Sequence, residues 1–348
     1  MNPRVAILWL NYNSAPIFHI VEKSLRSLAE LDYDNFHVYI IDNGSNDGSI
    51  EKICKLVKND QKLRSCSTIV RLGTNLGFTG AIDVVWQHVK DLDFNYLALL
   101  NNDVIVEPES LKKLVEFLEA RPDVCGVQGI LLLGGGRKVD CFGCYVDSLL
   151  ESISFMYLHN VDEVPRRGLY VTYCTGAYSL YNIQHLKQIT TKTGDLFPKW
   201  AFAYWDDDYL GMKGWTMGYK FCAIPIIAGR HCRSLTFRRV KTLQTYFVRR
   251  NYIAKALSVR TIEKFFALYR GIRICLHKGK KERLYLRMLY DGFRLWKKVH
   301  TCFDFSRMPI IRYPISEVVK FCLVYRLRAS KLDDFVTKQV LENYSFRY

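Results

Sequence analysis

Three times in its first 103 residues this chain runs a short apolar stretch into a polar turn. VAILWL (5–10) ends in Asn11-Tyr12-Asn13, the stretch from Phe36 to Ile41 ends in DNGSNDG (42–48), and YLALL (96–100) ends in Asn101-Asn102-Asp103. The intervening segments carry helical spacing. Ile17, Ile20, Val21, Ser24, Leu25 and Leu28 share one face, a second helix reads from Ser49 to Val57, and a third opens at NLGFTG (75–80) and continues through Val89. Strand and helix alternating over short links predict a doubly wound α/β fold with a parallel sheet. The unbroken apolar runs suit strands covered on both faces. In such a sheet the loops after the strands share the carboxyl edge, where ligands bind.

Each loop has a bland reading and a chemical one. Gly44 and Gly48 tolerate positive φ, and Ser45 or Asp47 suits the cap of the helix that begins near Ser49. Asn101-Asn102-Asp103, taken alone, is an ordinary polar turn between two β segments. At the end of a buried strand it also places one carboxylate, Asp103, where a divalent cation would be held against a diphosphate. A second cluster, YWDDDY (204–209), sets three carboxylates side by side. Adjacent carboxylates repel one another and need a cation, solvent or a helix N-terminus. The segment from Tyr209 to Trp215 reads as a helix that could supply that terminus.

Length and charge bound the organisation. A chain of 348 residues is long enough for two domains, or for one large domain with an appendage. Residues 1–232 hold 23 Lys+Arg and 26 Asp+Glu, whereas residues 233–300 hold 19 and 3, so most of the net charge of +16 lies in one late segment. The expected division is a catalytic domain over 1–236, with halves of about 1–125 and 126–236, and a basic, mainly helical region over 237–348. No run approaches the ~18 to 20 apolar residues of a membrane span, and the N-terminus reads as a first strand rather than a signal peptide. A cytosolic compartment is expected, with the eleven cysteines as scattered reduced thiols. The single CxxC, Cys141 and Cys144, is a weak zinc signal without a second pair.

The blocks LNYN, IIDNGSNDGS, NLGFTGA and LLNNDVIVEP, in this order and spacing, resemble the family-2 glycosyltransferases of the GT-A fold, near the rhamnosyl- and galactofuranosyl-transferase branch. The resemblance covers about residues 4 to 255. It implies a Rossmann-like, mostly parallel nucleotide-diphospho-sugar transferase fold with a basic helical C-terminal extension. It implies a nucleotide-sugar site at Asn11, Tyr12, Asp42, Asn75, Gly77, Asn102, Gly176 and Trp205, with Asp42 at the base and Asn11 or Tyr12 nearby. Asn101-Asn102-Asp103 stands where the family's DxD-type metal motif stands, with amides before the last residue. Asp103 is then the carboxylate ligand of Mn²⁺ or Mg²⁺, and His231, after a strand from Cys222 to Ala228, is the expected second ligand. Asp83 occupies a position where relatives have Asn. Trp205-Asp206-Asp207 resembles the Trp-Asp-Asp of galactofuranosyltransferases, which makes Asp207 the general base and gives Asp206 an orienting or acceptor-contacting role.

The implied activity is inverting transfer of a sugar from a nucleotide-diphospho-sugar donor to a hydroxyl of a glycan or polyprenyl-linked acceptor. No QxxRW motif occurs, which argues against a processive polysaccharide synthase. A nucleotidyltransferase and a non-catalytic nucleotide-sugar-binding protein are the alternatives. The first lacks its early Gly-rich loop here, and the second is disfavoured by the intact Asp103, Asp207 and His231. The basic region mixes cations with apolar residues at helical spacing. Ile262, Phe265, Phe266, Tyr269, Ile272 and Leu276 form one stripe, and Tyr285, Leu289, Phe293 and Trp296 form another. These stripes fit packing against the catalytic domain, or attachment of residues 237–300 to an anionic membrane surface. With no recognisable nucleic-acid module, no nucleic-acid partner is expected.

Overall fold

The structure is a computed structural model that describes residues 2–190, 193–233, 241–279, 283–299, 301–323 and 333–348. The expected domain boundary at 236/237 falls outside the described residues. The early chain alternates as β1 (Val5–Asn11), α1 (Phe18–Ala29), β2 (Phe36–Asp42), α2 (Ser49–Asn59), α3 (Gln61–Cys66), β3 (Ser67–Arg71), α4 (Gly77–Val89) and β4 (Tyr96–Asn101), in the order the sequence predicts except for the short α3, which it does not. β1 pairs in parallel with β2 on one side and β4 on the other, and β2 pairs in parallel with β3. A short strand, a helix and a long strand then follow as β5 (Val104–Val106), α5 (Ser110–Ala120) and β6 (Val124–Leu133).

Side-chain alternation along β1 shows why this sheet is buried on both faces. Ala6 and Leu8 join a core that includes Ala81, Ile82, Val85 and Trp86 of α4. Val5, Ile7 and Trp9 join the opposite core with Val21, Leu25 and Leu28 of α1 and Ile50 and Ile53 of α2. Successive strand residues point to opposite faces, so an all-apolar strand feeds two helix layers at once. The indole N–H of buried Trp9 donates to Ser24 Oγ on α1 (3.0 Å), which removes the cost of an unpaired polar group in that core.

Beyond β4 the sheet is mixed. The strand Tyr178–Asn182 lies antiparallel between β4 and β6, and the long strand Lys220–His231 runs parallel to β6. The strand Gly168–Tyr170 extends the sheet, and its outer neighbour is Ser345–Phe346 from the C-terminus of the chain. The last residues of the basic region thereby return to the same sheet that begins at Val5. The helices Lys241–Leu257, Lys264–Gly279 and Arg283–Trp296 pack on one another. Tyr252 and Ile253 of the first share a core with Trp205, Tyr209 and Phe303. The helical region is thus continuous with the core around Trp205 and Tyr209 through its first helix.

The β segment Cys144–Asp147 ends in a buried carboxylate that titrates. Asp147 Oδ1 accepts the backbone N–H groups of Leu149 (2.8 Å) and Glu151 (2.9 Å). Burial, reinforced by the charge of Glu151, nevertheless pushes its carboxyl up to about 7. A carboxyl raised on folding binds its proton more tightly in the native state. Its stabilising effect is complete below the unfolded value, about 3.9, and is lost as pH rises through about 7. Asp147→Asn keeps an acceptor for both N–H groups and has no proton to lose. It is expected to raise the melting temperature at pH 8 by clearly more than at pH 4, and an equal offset at both pH values would contradict this account.

Candidate active site

The register of the parallel strands builds the first part of the site. Asn11 lies opposite Asp42, and Leu10 lies opposite Asn101, so the three polar loops leave the sheet at one edge. Asn11 is buried and acts as the hub. Its Nδ2 donates to Asp42 Oδ1 (3.0 Å), and its Oδ1 accepts from Ser14 Oγ (2.5 Å) and Asn102 Nδ2 (3.0 Å). One amide therefore joins all three strand-end loops. Asp42 is also buried and takes the backbone N–H of Ser45 on its other oxygen (3.2 Å). Tyr12 stands exposed beside this buried network.

Asn43, which the sequence reading passed over, ties the second loop to the start of α4. Its side chain donates to Asn75 Oδ1 (3.0 Å) and to the Gly77 carbonyl (3.1 Å), and accepts from the backbone N–H of Leu76 (2.9 Å). Asn75 Oδ1 in turn accepts the Gly77 N–H (2.8 Å). Gly77 has φ +73°, and a Cβ there would stand 2.3 Å from the carbonyl oxygen of Phe202. Only glycine allows both the left-handed backbone and that close approach. Asn75 and Gly77 thus shape the loop and let residues 200–206 close over it. Asp83 has its own role in that closure: its Oδ1 accepts the backbone N–H groups of Leu196 (2.6 Å) and Phe197 (3.2 Å).

A second cluster forms where β5 meets the end of the long strand. His231 is the last residue of Lys220–His231 and pairs with Val104, next to Asp103. Its Nε2 stands 3.4 Å from Asp103 Oδ1, and its Nδ1 is 2.7 Å from Asp140 Oδ2. Burial alone would lower the imidazole. The hydrogen bonds and charges of Asp103 and Asp140 outweigh burial and hold His231 up at about 9. Asp140 also pairs with Arg233. Nothing in the sequence marks Asp140, because it sits in the segment 125–160, whose periodicity is weak. A carboxylate behind the imidazole fixes ring orientation, as the outer-shell partners of metal-bound histidines do. Among the described residues no three His, Cys, Asp or Glu side chains gather into a closed metal site. The Cys141 and Cys144 sulfurs lie 3.3 Å apart in the buried core, both as free thiols.

The three adjacent carboxylates separate into three environments. Asp208 is buried and forms an ion pair with Lys255 Nζ of the helix Lys241–Leu257 (2.7 Å). Asp207 Oδ2 accepts the Gly176 N–H (2.7 Å), while its buried Oδ1 has no hydrogen-bond partner among the described residues. Burial, then the charge of Asp206, pushes Asp207 well above the usual carboxylate range. Asp206 precedes the helix Asp207–Thr216, and burial raises it to about 6. A Cβ on Gly176 would approach Asp207 Oδ1 to 2.5 Å, so glycine at this position is what lets the carboxylate lie against the backbone.

Trp205 does not line an open sugar pocket, contrary to the sequence expectation. It is 1% exposed and packs edge-on against Tyr209 and Phe303, with Trp200 alongside. A large aromatic next to an acidic turn anchors that turn from below, and adjacency in sequence to Asp206 did not place it on the same face. The turn itself is strained, with φ of +64° at both Phe202 and Tyr204. The helix Lys241–Leu257 holds it. Arg250 donates to the carbonyls of Trp200 (2.9 Å) and Ala201 (2.8 Å), and Asn251 Nδ2 donates to that of Ala203 (2.8 Å). Arg250, like Lys255, is thus a structural cation of the basic region.

The two clusters meet through the backbone. Asn101 N–H donates to the Ala177 carbonyl (3.0 Å), one residue from the Gly176 that holds Asp207. Asp103, just beyond β4, and Asp207, at the start of the helix Asp207–Thr216 and held by Gly176, are therefore tied to neighbouring strands although 104 positions apart in the chain. The arrangement offers a polar edge of three strand-end loops, a carboxylate–imidazole pair and a buried carboxylate with one oxygen unpaired among the described residues.

Residues 7–138 match the family model of Glycosyl transferase family 2, and the solved structures similar to the whole chain share its GT-A fold. The Pyrobaculum calidifontis mannosyltransferase PcManGT, solved with GDP-Man and Mn²⁺, aligns over 99% of this chain and 87% of its own at TM-score 0.52 and 15% identity. S. aureus TarS 1-349 in complex with UDP-GlcNAc aligns over 98% and 89% at TM-score 0.53 and 17% identity. Among curated proteins, Bacillus subtilis (strain 168) Protein CgeD is 23% identical over 220 residues, which is 63% of this chain and 45% of CgeD. An uncharacterized glycosyltransferase of Haemophilus influenzae is 22% identical over 129 residues, 37% of each chain. The matched segments thus span less than half of either curated relative.

The Asp208–Lys255 pair is what fixes the acidic turn to the helix behind it. Removing one partner of a buried ion pair strands the other charge, at a cost of about 3–5 kcal/mol. Lys255→Met is expected to lower the urea midpoint accordingly, and adding Asp208→Asn to the same chain should restore most of the loss. No change in Lys255→Met alone would remove the pair from this account.

Proposed function

We propose that this protein is an inverting, metal-assisted glycosyltransferase that moves a sugar from a nucleotide-diphospho-sugar to a hydroxyl of a glycan or lipid-linked acceptor. The observation that carries the reading is the convergence of the Asn11–Asp42 network, the Asp103–His231 pair and Asp207 at one edge of a GT-A sheet. The buried Asn11 and Asp42 form a rigid floor for the nucleotide, with exposed Tyr12 free to lie against the base. The donors named with the similar solved structures, GDP-Man and UDP-GlcNAc, define the class of ligand to test.

Asp103 and His231 fit a divalent cation by donor chemistry. One carboxylate and one imidazole face each other, and Asp140 orients the imidazole from behind. Two protein ligands suit Mg²⁺ or Mn²⁺ when diphosphate oxygens complete the shell. Bound there, the cation would neutralise negative charge on the departing nucleoside diphosphate. His231 gives up its proton when it becomes a ligand, so cation binding and deprotonation are coupled at this residue.

Asp207 is the general base. Gly176 N–H fixes one oxygen, and the other, shielded from bulk water, receives the acceptor hydroxyl's proton as that oxygen attacks the anomeric carbon. A carboxylate raised by burial and by Asp206 is a stronger base than one in water. Asp206 contributes the neighbouring charge and either orients Asp207 or meets the acceptor.

A thermal-shift panel of UDP-, GDP- and dTDP-sugars with and without Mn²⁺ tests donor binding, since a bound ligand stabilises the fold according to its affinity. One nucleotide class should stabilise the chain in a Mn²⁺-dependent way that Asp103→Asn and His231→Ala abolish. Transfer that survives complete chelation would discard the cation. Product analysis separates the chemistries: sugar transfer releases nucleoside diphosphate, nucleotidyl transfer releases pyrophosphate, and a binding protein releases neither. Asp207→Asn should lower kcat by about 10²- to 10⁴-fold with donor binding retained. Gly176→Ala, which displaces the carboxylate, should lower it as well. Because the base must be unprotonated, and burial and the charge of Asp206 hold Asp207 well above the usual carboxylate range, wild-type transfer should fall as pH drops, starting above the pH at which an ordinary carboxylate titrates. Near-normal transfer by folded Asp207→Asn would end the base assignment.

A further inference from the structure

The helix Lys264–Gly279 turns its most apolar stripe outward. Ile262 just before it, and Phe265, Tyr269 and Leu276 along it, are 75%, 63%, 52% and 49% exposed. The buried side carries the small or compact residues Ala267, Ile274 and Cys275. The sequence stripe therefore packs against the body only through its flank, at half-buried Phe266 and Ile272. The neighbouring helix Arg283–Trp296 buries Tyr285, Met288, Gly292 and Leu295. It leaves Arg283, Arg287 and Arg294 exposed beside Leu286, Tyr290 and Phe293. Ile315 and Val319, on a helix that packs against Lys264–Gly279, are exposed too.

We infer that the outer face of these two helices docks on the surface of an anionic phospholipid bilayer. Phe265 and Tyr269 enter the headgroup region, while Arg283, Arg287 and Arg294 meet lipid phosphates. An amphipathic helix with bulky apolar side chains on its free face and cations alongside lies in the interface plane rather than across the bilayer. No helix among the described residues is long and apolar enough to cross a membrane. Charge selects the occupant. Residues 233–300 carry 19 Lys+Arg against 3 Asp+Glu, so a second copy seated on this face would set like charges together. Nucleic acid would satisfy the cations but would leave Ile262 and Leu276 against phosphate and sugar, with nothing apolar to cover them. An anionic bilayer supplies both phosphates and an apolar layer beneath them. This surface is independent of the sugar-transfer reading.

The test is co-sedimentation of the full chain with vesicles of phosphatidylcholine, alone or with about a third phosphatidylglycerol. The wild type is expected to bind the mixed vesicles at least roughly tenfold more strongly than neutral ones, and to lose most of that binding at high salt. The Phe265→Glu/Tyr269→Glu chain and the Arg287→Glu/Arg294→Glu chain should each bind the mixed vesicles roughly tenfold less. All four positions are exposed, so circular dichroism and melting temperature should stay at wild-type values. Absent or charge-independent vesicle binding overturns the proposal. So does a concentration-dependent dimer in sedimentation velocity that the Phe265→Glu/Tyr269→Glu chain loses. Retention of a duplex oligonucleotide in place of vesicles, abolished by the arginine substitutions, assigns the face to nucleic acid instead.

Discussion

The polar loop edge of this protein depends on the in-register pairing of β1 with β2 and β4. Because Asn11 lies opposite Asp42 and Leu10 opposite Asn101, three loops distant in sequence leave the sheet at the same height. The Asn11 side chain then bonds to groups from each loop. A shift of one residue in either pairing would turn Asn11 to the other face and break this hub, since side chains alternate with period two. The two apolar cores hold the register by burying opposite faces of β1. Packing energy on both sides is thus what positions a polar network that would gain little by itself.

The acidic turn is organised differently, by charges separated into unlike surroundings. Three neighbouring carboxylates in water would repel one another and titrate alike. Here Lys255 takes one, the Gly176 N–H holds the second, and the third titrates near 6 in its buried setting. Lys255, Arg250 and Asn251 all come from the first helix of the basic region. A segment whose composition suggested a peripheral extension therefore supports the strained turn at Phe202 and Tyr204. The later helices, with exposed aromatics and arginines, keep the surface character that the charge count implied.

The sequence made the first half of the fold legible because buried parallel strands and amphipathic helices leave strong periodic signals. The strands from Val5 to Asn101 and the helices between them follow that pattern closely. The loop residues Asn11, Asp42 and Asp103 stood out because polar groups at the end of apolar strands are conspicuous. The second half was harder to read. Nothing local said that Tyr178–Asn182 would enter antiparallel between β4 and β6, or that Ser345–Phe346 would join the same sheet. The segment that holds Asp140 has no periodicity to mark its role.

By itself the sequence determined the strand and helix order of the first half, the two-faced burial of its strands, and the polar residues gathered at the strand ends. Tertiary structure decided which of those residues act together. It placed His231 between Asp103 and Asp140, set Asp207 against Gly176, buried Trp205 beneath the turn, and gave Asp83 two backbone partners. The physical reason is the range of the forces involved. Periodic burial is written in neighbouring residues, whereas hydrogen bonds and desolvated charge act over a few ångströms between groups a hundred positions apart, and only the closed fold brings those groups within reach.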